Sequence, residues 1–170
     1  MSYLIIDSQP GESKYDVLTK AFYNAISKDV RVQTLKGSVG IATPIYEDAF
    51  LPVIEGRIAI MKDLWQSRAE GSIFATIQKG FFDAAGFLFL SAMVGVEKDG
   101  ILYTASTKSI PLTRVGGEIL EKSEEVRYAE FGRLYPGFKQ LGLVTIETDG
   151  ETSEESWLEE ATRECFEKLK

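Results

Sequence analysis

The sequence predicts an α/β fold, a mixed β-sheet with flanking helices, and three observations carry that expectation. Segments with a two-residue period alternate along the chain with segments at helical spacing, which sets helices against the faces of a sheet. An Asp-Gly pair at 99–100 joins two strand-like runs, so part of the sheet is an antiparallel hairpin. At 170 residues, 44% apolar and 26% charged, the chain can bury one core, and we expect a single domain over 1–170.

Residues 3–7 form a short β-rich run that turns at Ser8-Gln9-Pro10-Gly11. Val17, Leu18, Ala21, Phe22, Ala25 and Ile26 then share one face of a helix starting near Ser13. Residues 30–35 alternate as a strand, and 36–46, with Gly37, Gly40 and Pro44, read as a loop. Pro52 suits an early helical position, and Ile54, Ile58, Met61, Leu64 and Trp65 keep helical spacing to about Ser67. Residues 72–77 predict a strand. A further strand over 87–96 opens with Phe87-Leu88-Phe89-Leu90, a run expected to be buried on both faces. Gln78 and Asp83 would flank the turn between these two strands, at an exposed end where site residues often lie.

Lys98-Asp99-Gly100 turns the chain into a strand over 101–106. Pro111 opens a predicted helix through Val115, Ile119 and Leu120, and a second covers 124–134 before Pro136-Gly137. Residues 141–147 read as the last strand, and Asp149-Gly150 as the turn after it. Thr152 to Glu155 matches a capping box for a final helix whose apolar stripe is Trp157, Leu158, Ala161, Cys165 and Leu169. The opposite face, with Glu154, Glu155, Glu159, Glu160, Glu164 and Glu167, reads as solvated acidic surface.

Composition narrows the chemistry. With no histidine, the chain has no Ser-His-Asp or Cys-His catalysis and no imidazole zinc site. Any metal would be a hard cation on oxygen ligands, Mg²⁺, Mn²⁺ or Ca²⁺. The lone Cys165 forms no internal disulfide and suits a reducing, cytoplasmic setting. A formal charge of −7 opposes non-specific nucleic-acid binding. Residues 1–7 lack the basic start of a signal peptide, and the most apolar stretch, 81–96, is short and broken by Asp83, so no membrane partner is expected.

Neither a G-x-G-x-x-G nor a P-loop motif occurs, and three segments are left that suit an anion and a metal. At Asp7 to Lys14, the amides opening a helix and the Lys14 ammonium suit an anion, although an ordinary turn has the same composition. Glu47 and Asp48 precede the helix containing Arg57 and suit either Mg²⁺ or the dipole of that helix. Ser106, Thr107, Lys108 and Ser109 form a hydroxyl-rich loop that, with Arg114, suits phosphate oxygens, a helix cap, or both. The aromatic residues Trp65, Phe81, Phe82, Phe87 and Phe89 read as core.

In this order the segments resemble the inosine/xanthosine triphosphatase family, which acts on non-standard purine nucleotides. Asp7 to Lys14 is similar to the family's N-terminal Thr/Ser-Asn-Pro-x-Lys turn, with Ser8 and Lys14 in it. Gly40 to Asp48 is similar to its acidic loop, and Gly56-Arg57 to an Asn-Arg pair. Residues 72–80 with Phe87 to Phe89 resemble the segment carrying Ile-Glu-x-Gly, and Ala105 to Leu112 its Ala-Arg-Ser/Thr and Leu-Pro segment. Gly142 to Thr152, with Thr148 and Thr152, resembles the strand and Thr-x-Gly-x-x-Thr-Arg turn.

The resemblance implies a two-lobed, inosine triphosphatase-like fold with a central cleft, a homodimer, and a Mg²⁺- or Mn²⁺-dependent phosphohydrolase of ITP or XTP. Glu47 and Asp48 would hold the metal and act with Gln78 in catalysis. Ser8, Lys14, Arg57, Ser106, Thr107, Lys108, Thr148 and Thr152 would contact the nucleotide. Three positions depart from the family: Gln78 replaces its glutamate, and Ser106 and Ser153 replace two arginines. An amide is a poorer Mg²⁺ ligand and is no general base near neutral pH, and lost arginines weaken phosphate clamping. Asp83, Lys79 or Lys108 would have to compensate. The alternative is a homologue without catalysis that binds a nucleotide, another small phosphorylated ligand, or a protein.

Overall fold

Leu4, Ile5 and Ile6 are all fully buried, which puts β1 (Tyr3–Ile6) inside a sheet covered on both faces. The computed structural model describes residues 3–26, 29–35, 43–65 and 71–170. The sheet runs β2 (Arg31–Thr34), β1, β3 (Ile73–Ala84), β4 (Phe87–Lys98), β5 (Ile101–Ser106), and β6 (Ile110–Gly116) also pairs with β4. β1 lies parallel to β2 and β3, while β3–β4, β4–β5 and β4–β6 are antiparallel, so the predicted mixed sheet is present.

The two faces carry different cores. Leu4, Ile6, Ala75, Ile77, Leu88 and Val94 pack towards α1 (Ser13–Ala25) and α6 (Glu154–Glu167), with Phe22 meeting Phe166 edge to face at 5.9 Å between centroids. Ile5 and Phe74 meet Ile54, Ile58 and Met61 of α2 (Phe50–Trp65) on the other face. That helix lies so close to β4 that a Cβ on Gly95 would sit 2.3 Å from the Ile54 side chain. Cys165 is fully buried on the inner stripe of α6, as its position in the pattern predicts. No helix among the described residues is long and apolar enough to cross a membrane.

Several expectations need correction. The helix expected at Pro111 is strand β6, followed by a short helical turn, Gly117–Glu121. Leu112 sits opposite Leu88 and is buried between exposed neighbours, and Pro111 is tolerated because β6 pairs along one edge only. The strand expected at 141–147 is two short helices, α4 (Phe138–Leu141) and α5 (Leu143–Glu147), parted by Gly142 at φ 81°. Adjacent Leu143 and Val144 both reach the core, which successive strand residues pointing to opposite faces do not do.

β3 runs on to Ala84 and turns at Ala85-Gly86, so Gln78 is buried in mid-strand, away from the exposed hairpin end. Phe87 is 68% exposed and Phe89 stacks on Phe82 at 5.3 Å on the outer face, so only Leu88 and Leu90 of that run face the core. Ser153, not Thr152, caps α6, its hydroxyl accepting from the Ser156 amide at 3.1 Å. The helix α3 (Glu124–Leu134) matches its predicted bounds. Most of the loop expected at 36–46 and the helix end near Ser67 lie outside the described residues.

Candidate ligand-binding cavity

Elements distant in sequence meet around a cavity of about 890 Å³. Gly11, at φ 93°, lets the chain leave β1 and bring Lys14 in the first turn of α1 to its wall. β3 presents Gln78, Lys79 and Phe81, and the first turn of α6 presents Glu154 and Glu155. A wall of rings closes another side: Phe81 lies 5.2 Å from Phe131, Phe131 6.3 Å from Phe138, and Phe138 6.1 Å from Tyr128 between centroids. Tyr128 and Phe131 are three residues apart on α3, which brings both rings to one side of that helix.

The charges in this cavity are unequally satisfied. The Lys79 ammonium is 2.6 Å from a Glu154 carboxylate oxygen. Lys14, half-buried, has neither a hydrogen bond nor an ion pair among the described residues. Its pKa falls from 10.5 to about 8, chiefly because burial removes water from the ammonium and then because Lys79 and Arg57 repel it, while Asp7 and Glu154 pull it upward. The N-cap residue Glu12 makes no side-chain bond to the first amides of α1.

Behind Gln78 lies a closed polar network. Arg57 Nε and Nη2 donate to Asp7 Oδ2 at 2.8 and 2.7 Å, and Nη1 donates to Gln78 Oε1 at 2.8 Å. Thr76 Oγ1 donates to the Asp7 carboxylate at 2.9 Å and accepts from Arg57 Nε at 3.1 Å. Gln78 Nε2 donates to the Lys79 carbonyl at 2.6 Å, so both ends of that amide are engaged.

Of the residues singled out from sequence, Lys14 and Gln78 line the cavity, and Arg57 touches Gln78 from behind. Ser8 is buried beside Asp7, and its hydroxyl has no hydrogen-bond partner among the described residues. Glu47 and Asp48 are exposed in the helical turn Glu47–Ala49 that leads into α2, outside the cavity wall. Ser106 is exposed at the end of β5. Thr107 is buried where β5 and β6 meet along β4, its hydroxyl accepting from the Ala92 amide at 3.0 Å. Lys108 is exposed, and its carbonyl accepts from the Trp157 indole at 2.7 Å. Thr148 Oγ1 donates to the Val144 carbonyl at 2.8 Å and accepts from the Thr152 amide at 3.1 Å, which fixes the turn before α6. Asp83 accepts from the Gly86 amide at 3.2 Å and serves the hairpin turn.

Among the described residues no three carboxylate or cysteine side chains stand together as metal ligands. The Asp7 carboxylate is taken by Arg57 and Thr76, and the Gln78 oxygen by Arg57. Sequence reasoning missed Glu154, which it counted with the solvated acidic face, and it missed the wall of Tyr128, Phe131 and Phe138. The i, i+3 aromatic pair on α3 was the available signal.

No protein-family model matches the chain, and no curated protein matches it in sequence. Among solved structures it is similar to protein VC0702 from Vibrio cholerae, at a TM-score of 0.72 and 16% identity, over 97% of this chain and 93% of that one. The likeness extends over the whole α/β architecture.

Proposed function

We propose that the protein binds a purine nucleotide in this cavity without hydrolysing it, as a catalytically degenerate relative of the inosine/xanthosine triphosphatases. The observation that carries the reading is Lys14: a half-buried ammonium with no hydrogen bond or ion pair among the described residues, beside the uncapped first turn of a helix and in a cavity with a ring-lined wall. A phosphate there gains the lysine, the helix amides and the positive end of the helix dipole. A purine gains the rings of Phe81, Phe131, Phe138 and Tyr128. The cavity then serves as the cleft of the two-lobed fold that the resemblance implies, and the homodimer and cytoplasmic setting belong to the same proposal.

Binding is favoured over hydrolysis because the chain offers no base at position 78, whose amide is held by Arg57 and the Lys79 carbonyl. Glu47 and Asp48 stand outside the wall. A hydrolase acting on ITP or XTP is the second reading, supported by Lys14 and Gln78, two family-like positions, lining one cavity.

One experiment separates the two. Purified protein is incubated with ITP, XTP, GTP or ATP plus Mg²⁺ or Mn²⁺, phosphate and pyrophosphate release are measured, and binding is followed by calorimetry. We expect nucleotide binding without turnover, and loss of binding in Lys14→Met. Turnover that collapses in Glu47→Ala and Asp48→Ala would overturn the binding-only reading in favour of the hydrolase.

A further inference from the structure

Lys14, Lys79 and Lys139 among the described cavity residues are matched by Glu12, Glu154 and Glu155, so the wall has no net positive charge. The cations are not equally available. Lys79 is held by Glu154 at 2.6 Å, and both lie on the wall itself. Arg57, directly behind, is committed to Asp7 and Gln78. Lys139 is exposed to water on its short helix. Lys14 alone combines partial burial with no partner among the described residues.

A triphosphate brings three or four negative charges into such a space. It would face the Glu154 carboxylate at close range, and the metal that normally screens such charge finds no group of three carboxylates among the described residues. One phosphate, by contrast, matches one lysine and one helix terminus. The ring wall offers apolar surface that does not depend on how many phosphates follow.

We infer that the cavity selects a ligand with a single anionic group on an aromatic body, of the nucleoside monophosphate class, without a divalent cation, and that Glu154 sets this limit by holding Lys79. This rests on the nucleotide-binding reading above and narrows it. Glu154 acts as a built-in anion: while it engages Lys79, that lysine cannot serve a second phosphate. Neutralising Glu154 frees Lys79 and removes a repulsive charge, so it raises the number of phosphates the cavity accepts.

The test is calorimetric titration of IMP and ITP into the intact protein, each with EDTA and with excess Mg²⁺, for the wild type and Glu154→Gln. In the wild type we expect IMP to bind about tenfold more tightly than ITP, with Mg²⁺ leaving IMP affinity unchanged. In Glu154→Gln, ITP should gain at least that factor while IMP changes little. Circular dichroism checks the variant's fold, and the wild-type comparison stands without it. Tighter binding of Mg²⁺-ITP than of IMP would overturn the inference while leaving nucleotide binding in place. A wild-type preference that survives unchanged in a folded Glu154→Gln would overturn the role of Glu154. No binding of either nucleotide would overturn both this inference and the reading it rests on.

Discussion

A lysine whose pKa stands at about 8 instead of 10.5 burdens the folded state, because its charged form is less welcome there than in the unfolded chain. Below pH 8 both states hold the proton and the whole penalty is present. Between pH 8 and 10.5 the folded protein releases the proton while the unfolded chain keeps it, so stability rises with pH across that window. Lys14→Met, of similar length and without charge, should therefore stabilise the ligand-free protein by ~1–3 kcal/mol at pH 7, a gain that fades towards pH 10. Urea unfolding at both pH values measures it, and equal stability of variant and wild type at pH 7 would show that the ammonium is already satisfied. The neighbouring network has the opposite sign. Asp7, with 4% of its side chain exposed, is ion-paired with Arg57 at 2.7 Å. Arg57→Met leaves that carboxylate buried and unpaired and should lower stability by ~3–5 kcal/mol. Arg57→Lys keeps the charge but loses the planar fork that reaches Asp7 and Gln78 together, so its urea midpoint should fall between the two.

At the scale of elements, β4 carries two strands end to end on one edge: β5 pairs along Met93–Lys98 and β6 along Phe87–Leu90. Thr107 fills the break between them, its amide donating to the Ala92 carbonyl at 2.9 Å and its hydroxyl accepting from the Ala92 amide. Thr107→Val removes the acceptor but keeps the shape, and a buried amide left without a partner should cost ~1–3 kcal/mol. The thermal shift produced by IMP should be unchanged in this variant. A shift that collapses with little loss of stability would return Thr107 to the phosphate site. The same junction marks where local reading of the chain succeeds and where it fails. α1, α2, α3 and α6 are legible because each repeats apolar residues at helical spacing beside a polar face, and the β4–β5 hairpin because Asp99-Gly100 supplies the positive φ angles its turn requires. Residues 110–116 and 143–147 are not, since in both the choice between helix and strand is made by distant partners. Leu112 needs Leu88 opposite it, and Leu143 with Val144 needs a core beneath. In the cavity, Lys14 and Gln78 were legible from their segments. Glu154 was not, because a carboxylate on an acidic helix looks solvated until Lys79, 75 residues earlier in the chain, is seen beside it.

The whole molecule is held as one unit by α6, which closes the larger core against α1, β4 and β5 through Trp157, Leu158, Ala161, Cys165 and Phe166. Its outer face keeps Glu155, Glu159, Glu160, Glu164 and Glu167 exposed to water, and Lys20 of α1 reaches Glu159 at 2.7 Å across the exposed seam, a pair worth little on its own. Cys165 lies beneath that helix with no exposed surface, its thiol donating to the Val94 carbonyl at 3.4 Å, and burial pushes its pKa up to about 12. Both reactivity and access are therefore suppressed: near neutral pH almost none of the thiol is ionised, and a reagent reaches it only when α6 leaves the sheet. Because α6 contacts α1, β4 and β5 at once, that departure should coincide with global unfolding rather than with local fraying. The native protein should then resist a thiol reagent such as DTNB, and its labelling rate should be the rate of the unfolded chain reduced by the equilibrium population of that state. Labelling in increasing urea checks this, since its midpoint should coincide with the loss of circular dichroism. A ligand that binds only the folded state lowers the unfolded population by the factor 1 + [L]/Kd. Excess IMP should accordingly slow Cys165 labelling by that same factor, although cavity and thiol share no residue. Labelling that stays fast in the native protein, or that IMP leaves unchanged despite measured binding, would mean that α6 opens independently of the site.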